Sequence, residues 1–296
     1  VLAALIVAGL LGVEKIGRRR ARFHKSGRQL APIQPQPLSS RQGAAVLLYC
    51  LVPMGLGFLI PLMVLVAPVV LDLSLWSDTG LWRAAAHSLA LGGASAGLVV
   101  TLATVMVLGL QKTPAAWKKS LLTLTTVGYA FPGAVLGLGI LIPLATFDNW
   151  LADLVFATFR RDPGLLLTGS AGALIVAYCV RFFAIGVGAA EAGLAAISTN
   201  IPLAASTLGR GPKDVLVNIY QPLMRGSLAS AMVLVFVDTV KELPATLLLR
   251  PFNFDTLSTH VYAQASLENF HGSTPAALLI ITLSLGAIFL LAKAHR

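Results

Sequence analysis

Six apolar runs, near 43–71, 84–110, 119–146, 165–188, 226–249 and 275–292, constrain this chain more than anything else in it. Each is long enough to cross the roughly 30 Å hydrocarbon core of a bilayer, some with tilt, since a helix needs about 20 apolar residues to do so. Backbone amides and carbonyls find no partner in lipid, so every crossing is expected to be an α-helix rather than an open sheet. Hydrophobic residues make up 56% of the chain and charged ones 11%, which excludes a soluble domain: it could not hide that much apolar surface. The expected fold class is all-α, a polytopic membrane bundle of six crossings over 43–296.

A shorter apolar run at 1–13 falls below crossing length, and Arg18, Arg19 and Arg20 follow it rather than precede it, the reverse of a signal peptide. It reads, over 1–17, as the cut end of a helix. Residues 18–42 carry Arg22, His24, Lys25 and Arg28, then Pro32, Pro35 and Pro37, and read as an extended cytoplasmic linker. The expectation is therefore the C-terminal portion of a longer chain. The basic run is a topology anchor or, alternatively, a contact for lipid headgroups.

Charge then sets the sidedness. The linker, the stretch 111–120 with Lys112, Lys118 and Lys119, and the stretch 181–225 with Arg210, Lys213 and Arg225 are placed in the cytoplasm by the positive-inside bias. Residues 71–82, with Asp72 and Asp78, face outward, as do 147–164 and 250–275; in 147–164, Asp148, Asp153 and Asp162 partly balance Arg160 and Arg161. Lys293 and Arg296 finish the chain inside. The net charge of +10 is thus a topological signature and requires no nucleic acid. Cys50 and Cys179 both fall in apolar runs and read as small buried hydrophobes, not as a disulfide framework or a metal pair.

Two stretches carry chemistry. The first, 200–223, is polar and wedged between crossings. Asn200 can cap a short helix that tolerates Pro202 in its first turn, and Gly209 suits the left-handed position that ends it. Gly211-Pro212 opens a second helix, and Pro222 marks where that one gives way. Ala204 and Ala205 would let another surface approach the backbone closely.

The second stretch is 226–249, where Asp238, Lys241 and Glu242 sit inside an apolar run. Asp238 falls about 18 Å along a helix from Gly226, at 1.5 Å per residue, near or a little past mid-membrane. Each unpaired charge there costs about 2.5–3.5 kcal/mol, so the three need partners. Their i, i+3 and i, i+4 spacing puts them on one helical face. Pro244 breaks the ladder and frees a carbonyl, a combination that lines cavities at membrane depth. Two readings stay open and are compatible: an Asp238–Lys241 salt bridge that orients the helix, or a polar wall of a translocation path. Gly93 with Gly97, and Gly133 with Gly137, offer close-packing seams or are ordinary membrane glycines.

The positions Ala204-Ala205, Gly209, Ile219 and Pro222 resemble the EAA loop of ABC importer permeases: Glu-Ala-Ala, three residues, Gly, nine residues, Ile, one residue, Leu-Pro. Leu203 stands where that pattern has Glu, and Gln221 where it has Leu. The run Lys241-Glu242-Leu243-Pro244-Ala245-Thr246-Leu247-Leu248-Leu249-Arg250-Pro251, with Phe254, Thr256-Leu257 and Val261-Tyr262, is similar to the signature of ferric-iron importer permeases. So are Gly128-Tyr129-Ala130-Phe131-Pro132-Gly133 and the segment from Arg181-Phe182 to Gly193-Leu194. The resemblance runs from about Ser39 to the C-terminus. It implies a type I importer fold in a bacterial inner membrane, with the 200–223 loop as a coupling helix docked into a cytoplasmic ATPase dimer. It also implies a homologous first half, a periplasmic ferric-binding protein delivering cargo, and a path past Asp238, Lys241, Glu242 and Pro244. Permeases for polyamines, thiamine, sulfate, molybdate or phosphonates share the loop.

No Gly-x-x-x-x-Gly-Lys-Ser/Thr run occurs, so ATP and Mg²⁺ are expected on the partner ATPase and no cofactor on this chain. His24, His87, His260, His271 and His295 show no ligand spacing, and no resident metal is expected. A secondary transporter would also hold intramembrane charges and broken helices, but it would not need a long docking loop. An intramembrane enzyme lacks the motifs it would need.

Overall fold

The computed structural model describes residues 38–160, 164–198 and 200–294. The expected helix tail at 1–17 and most of the linker at 18–42 lie outside these residues. The chain divides into two units, Val1–Leu62 and Met63–Arg296.

Helix α1 (Ser40–Leu71) opens on a capping box, in which the Ser39 side chain accepts from Gln42 N–H and the Gln42 side chain accepts from Ser39 N–H. In the second unit come α2 (Thr79–Gly109), α3 (Ala115–Ala130), α4 (Gly133–Phe159) and α5 (Ala171–Ala195). They are followed by the short α6 (Asn200–Thr207), then α7 (Pro212–Val240), α8 (Pro244–Leu249), α9 (Leu257–Ser266) and α10 (Phe270–Ala294). Six of these helices, α1, α2, α4, α5, α7 and α10, are long and apolar enough to cross a membrane. The chain is an all-helical, multi-pass membrane protein.

Helices α2, α5 and α7 pack against one another and form the centre of the second unit. The core is layered along α2. Leu81 and Ala85 meet Val240, Leu257 and Ala276 near its start. Leu91, Ala96 and Val99 meet Leu174, Ala177, Tyr178, Phe182 and Val235 at mid-length. Ala103 and Val107 meet Val187, Ala190 and Met224 near its end. Small residues permit these crossings: a Cβ at Gly186 would stand 2.9 Å from Ala103 Cβ, and one at Gly92 would stand 2.9 Å from the Phe236 ring. Around this trio, α3 lies on α5, α8 on α4, and α9 on α10.

Several sequence expectations change in detail. The run 119–146 is not one helix: it breaks at Phe131–Pro132, because Pro132 has no N–H to continue α3 and instead sets the N-cap of α4. The run 226–249 ends as a helix at Val240. Lys241 is its C-cap, and Pro244 opens α8 at the first helical position. Pro222 does not end a helix. It follows a π turn at Leu216–Tyr220, whose extra residue makes room for the proline ring that would otherwise strike the carbonyl one turn back. Asn200 is the first residue of α6, and Ser198 Oγ accepts its N–H at 3.4 Å. The 147–164 loop is shorter than expected because α4 runs to Phe159. Asp148 therefore lies in a helix, fully buried. Of the two glycine seams, Gly133 and Gly137 are packed, whereas Gly93 and Gly97 face open space.

Candidate functional site

The segment between α5 and α7 is a compact foot. Helix α6 ends in a left-handed turn at Gly209 (φ 80°). Arg210 N–H reaches Ala205 O and Gly209 N–H reaches Ser206 O, both at 3.1 Å, the paired bonds of a glycine C-cap. The sequence reading of Gly209 rests on that geometry, since a β-branched residue is strained at positive φ. Gly211 then caps α7, with Pro212 at its first position. Arg210 pairs with Asp214 at 2.6 Å, and that hydrogen bond and charge hold the guanidinium protonated above its already high range. Asn218 also donates to Asp214.

Ala205 and Val215 are buried where α6 meets α7. Ala204 lies exposed, as does Pro222, while Ile219 is half-buried. The foot exposes Leu203, Leu208, Leu216, Val217 and Leu223 among polar residues that include Ser206, Thr207, Lys213, Asn218 and Gln221. This is a surface without a partner in the isolated chain, shaped by two short helical segments held at a fixed angle.

The second expected constellation divides in two. Asp238 and Lys241 form an ion pair at 2.7 Å at the C-terminal end of α7, with the lysine side chain 59% exposed. The Asp238–Lys241 contact expected from the spacing is therefore present. Glu242 does not share their face. The helix stops two residues earlier, the Glu242 N–H turns back to Thr239 O at 3.1 Å, and the side chain points into the bundle, 7% exposed. There its Oε2 lies 3.0 Å from Arg181 Nε, a charge contact with a residue at the middle of α5. A second Arg181 nitrogen, Nη1, donates to Phe131 O at 3.1 Å, the carbonyl freed by the α3–α4 break.

The Glu242 backbone is held as closely. Its carbonyl accepts from Thr246 Oγ1 at 2.6 Å and from Ser258 Oγ at 2.9 Å. Because the Thr246 hydroxyl proton is used there, Tyr178 OH is the donor in its 2.6 Å bond to Thr246 Oγ1. A Cβ at Gly133 would stand 2.4 Å from Glu242 Oε1, so a larger residue there would have to push the carboxylate aside. A Cβ at Gly128 would stand 2.2 Å from Val180 O, so α3 and α5 meet backbone to backbone.

The polar knot continues outward along α2 and α9. Ser88 Oγ accepts from Leu257 N–H at 2.8 Å, and His87 stacks on Phe254 at 3.9 Å with its Nδ1 2.9 Å from Asp255 O. Arg250 pairs with Asp255. His260 is buried in α9 with Nε2 3.7 Å from Asp78. Among the described residues no three His, Cys, Asp or Glu side chains cluster as a metal site would require. The sequence reading starts the cytoplasmic stretch at Arg181 and finds it in a family-like segment, whereas the structure puts it in the middle of α5. The signal available was an arginine in the middle of an apolar run, which demands a buried anion somewhere else in the chain.

No family model matches the chain. It is 31% identical over 160 residues, 54% of its length, to the Haemophilus influenzae Fe(3+)-transport system permease protein FbpB 2, and that match spans 29% of the relative's length. It is 24% identical over 204 residues to PhnV of Salmonella typhimurium, which carries the name of a 2-aminoethylphosphonate transport system permease; 69% of this chain and 71% of PhnV are covered. Among solved structures, a bacterial alginate ABC transporter in complex with an alginate-bound periplasmic protein aligns with a TM-score of 0.68. That match has 15% identity and covers 86% of this chain and 93% of the other. A second structure, of a bacterial ABC transporter involved in alginate import, aligns at 0.65 with 14% identity, covering 86% and 96%. At such identities the two structures establish the fold alone.

Proposed function

We propose that this chain, an ABC importer permease by its relatives and its fold, is the membrane subunit of an importer for ferric iron. A cytoplasmic ATPase dimer would drive it, and a periplasmic binding protein would load it. The observation that carries the reading is the foot. A glycine-locked α6, exposed apolar side chains and a direct continuation into α7 stand at the residues that resemble the coupling loop. Such a foot has no role in a carrier driven only by an ion gradient.

In this mechanism ATP binding closes the ATPase dimer against Ala204, Ala205, Gly209, Ile219 and Pro222. The motion passes up α5 and α7 to the breaks around Asp238, Lys241, Glu242 and Pro244, where the path opens. The chain does no covalent chemistry of its own; ATP and Mg²⁺ belong to the ATPase, and Fe(III) passes through as cargo. The first permease half, surrounded by lipid, would complete the pathway, and the C-terminus would lie in the cytoplasm. Ferric iron is favoured over other cargo by the 31% identity to FbpB 2 and by the Glu242–Pro251 run. The similarity to PhnV supports a second reading, an organophosphonate cargo.

Uptake of ⁵⁵Fe(III) and of a labelled aminoalkylphosphonate, measured in cells with and without the neighbouring ATPase, tests both levels. Iron uptake that vanishes with the ATPase is expected. Phosphonate uptake instead would move the cargo, and uptake indifferent to the ATPase would remove the ABC mechanism.

A further inference from the structure

We infer that Arg181 is the positioning residue that latches the translocation path shut, and that α5 is the lever by which the foot releases it. This rests on the importer reading above and assigns that reading a specific part.

The geometry is unusual in joining two helix interruptions on one guanidinium. One nitrogen of Arg181 meets the carboxylate of Glu242 in the α7–α8 break, and another meets the carbonyl of Phe131 in the α3–α4 break. At the α3–α4 break Arg181 satisfies a freed backbone carbonyl, and at the α7–α8 break it supplies the cation for a buried carboxylate. Arg181 lies ten residues into α5, about 15 Å from its start and ~21 Å from its end at 1.5 Å per residue. No proline interrupts α5, so displacement at Ala195 travels to Arg181 along an unbroken hydrogen-bond ladder. Five residues beyond Ala195 the foot begins.

Glu242 is anchored from a third side. Its Oε1 accepts from Ala245 N–H at 3.4 Å, at the start of α8, and leaves no room for a side chain at Gly133 without moving. Separating α5 from the α7–α8 corner must therefore strip Glu242 of its cation, while Ala245, Thr246 and Ser258 keep the anion's residue in place. That asymmetry makes the contact a latch with a fixed catch and a moving bolt. The Asp238–Lys241 pair lacks this property. It lies within one helix end, is more exposed, and spans no interface between helices.

The test uses the complete importer, reconstituted in lipid with its ATPase and binding protein, with membrane level, basal ATPase and cargo-stimulated ATPase read for each variant. Arg181→Met and Glu242→Met each leave one buried charge unpaired, and lower membrane levels are expected for both. The double variant Arg181→Met/Glu242→Met removes both charges and should restore the level. If the pair is a latch, the double variant still runs with basal ATPase raised at least threefold and a cargo-stimulation ratio near one. Wild-type stimulation in the double variant, or its absence from the membrane, would show a purely structural pair and overturn the proposal. Gly209→Val serves as the parallel arm. If it uncouples while the double variant does not, the latch fails and the importer reading stands; if the wild-type complex shows no stimulation, the importer reading itself fails.

Discussion

Replacing Gly128 by alanine tests whether α3 and α5 meet backbone to backbone. The added Cβ would lie 2.2 Å from Val180 O and 3.0 Å from its carbonyl carbon. An ordinary carbon–oxygen contact is over 3 Å, so the helices would have to part by roughly 1 Å locally. The obstacle is backbone in the middle of a helix and cannot rotate aside. Overpacking of this kind costs about 1–3 kcal/mol. Alanine in a helix returns up to about 1 kcal/mol over glycine, so at a backbone obstacle, toward the upper end of that cost, the net loss is expected at about 2 kcal/mol. There is a second effect: Gly128 is three residues before Phe131, whose carbonyl binds Arg181, so parting the helices also pulls on that bond. Gly93→Ala is the control, because a Cβ there meets nothing within 4 Å and the same propensity gain applies without the clash. Thermal unfolding of the purified protein, followed by tryptophan fluorescence, should order the variants as Gly93→Ala at or above wild type and Gly128→Ala below it by several degrees. A Gly128→Ala protein as stable as the Gly93→Ala protein would refute the backbone-contact reasoning.

Gly209→Val should act through backbone alone, since nothing lies within 4 Å of a Cβ there but φ is 80°. Forcing a β-branched residue into that region costs about 1–2 kcal/mol, which should unravel the end of α6, reduce transport per ATP hydrolysed and leave membrane insertion intact; unchanged transport efficiency argues against the foot. Asp148→Asn should loosen the segment after α4: the buried carboxylate accepts the N–H groups of Leu166, Leu167 and Thr168 at 2.9, 2.9 and 2.7 Å. An amide would turn a donor toward one of them, at about 1–3 kcal/mol. Limited proteolysis should then cut near 164–170 faster than in wild type, and equal rates would contradict the clamp.

The residues differ in how visible they were beforehand. Gly209, Gly211 and Pro212 act on their own backbone, so their effects could be read from position alone, and the structure places them at the turn and cap expected. Pro132 and Pro222 misled by degree. A proline guarantees a missing donor, but whether the chain answers with a full break or a π turn depends on neighbours that satisfy the freed groups. Arg181 provides such a neighbour at Phe131. Glu242 was assigned a helical face because the apolar run continues past it, yet the helix ended at Val240 and the side chain turned inward.

By itself the sequence determined that this protein is a bundle of membrane helices with a polar foot between two crossings. Apolar length and the obligation to pair every backbone group in lipid leave no other outcome, and both are local properties of the chain. Only the tertiary structure decided which charges are partners. Arg181, Glu242 and the Phe131–Gly133 corner come from three separate stretches of the chain, and their meeting is set by how closely the glycine faces let those helices approach. Helix periodicity carries no information about contacts between separate helices, so the pairing at the centre of the bundle became visible only once the helices were packed.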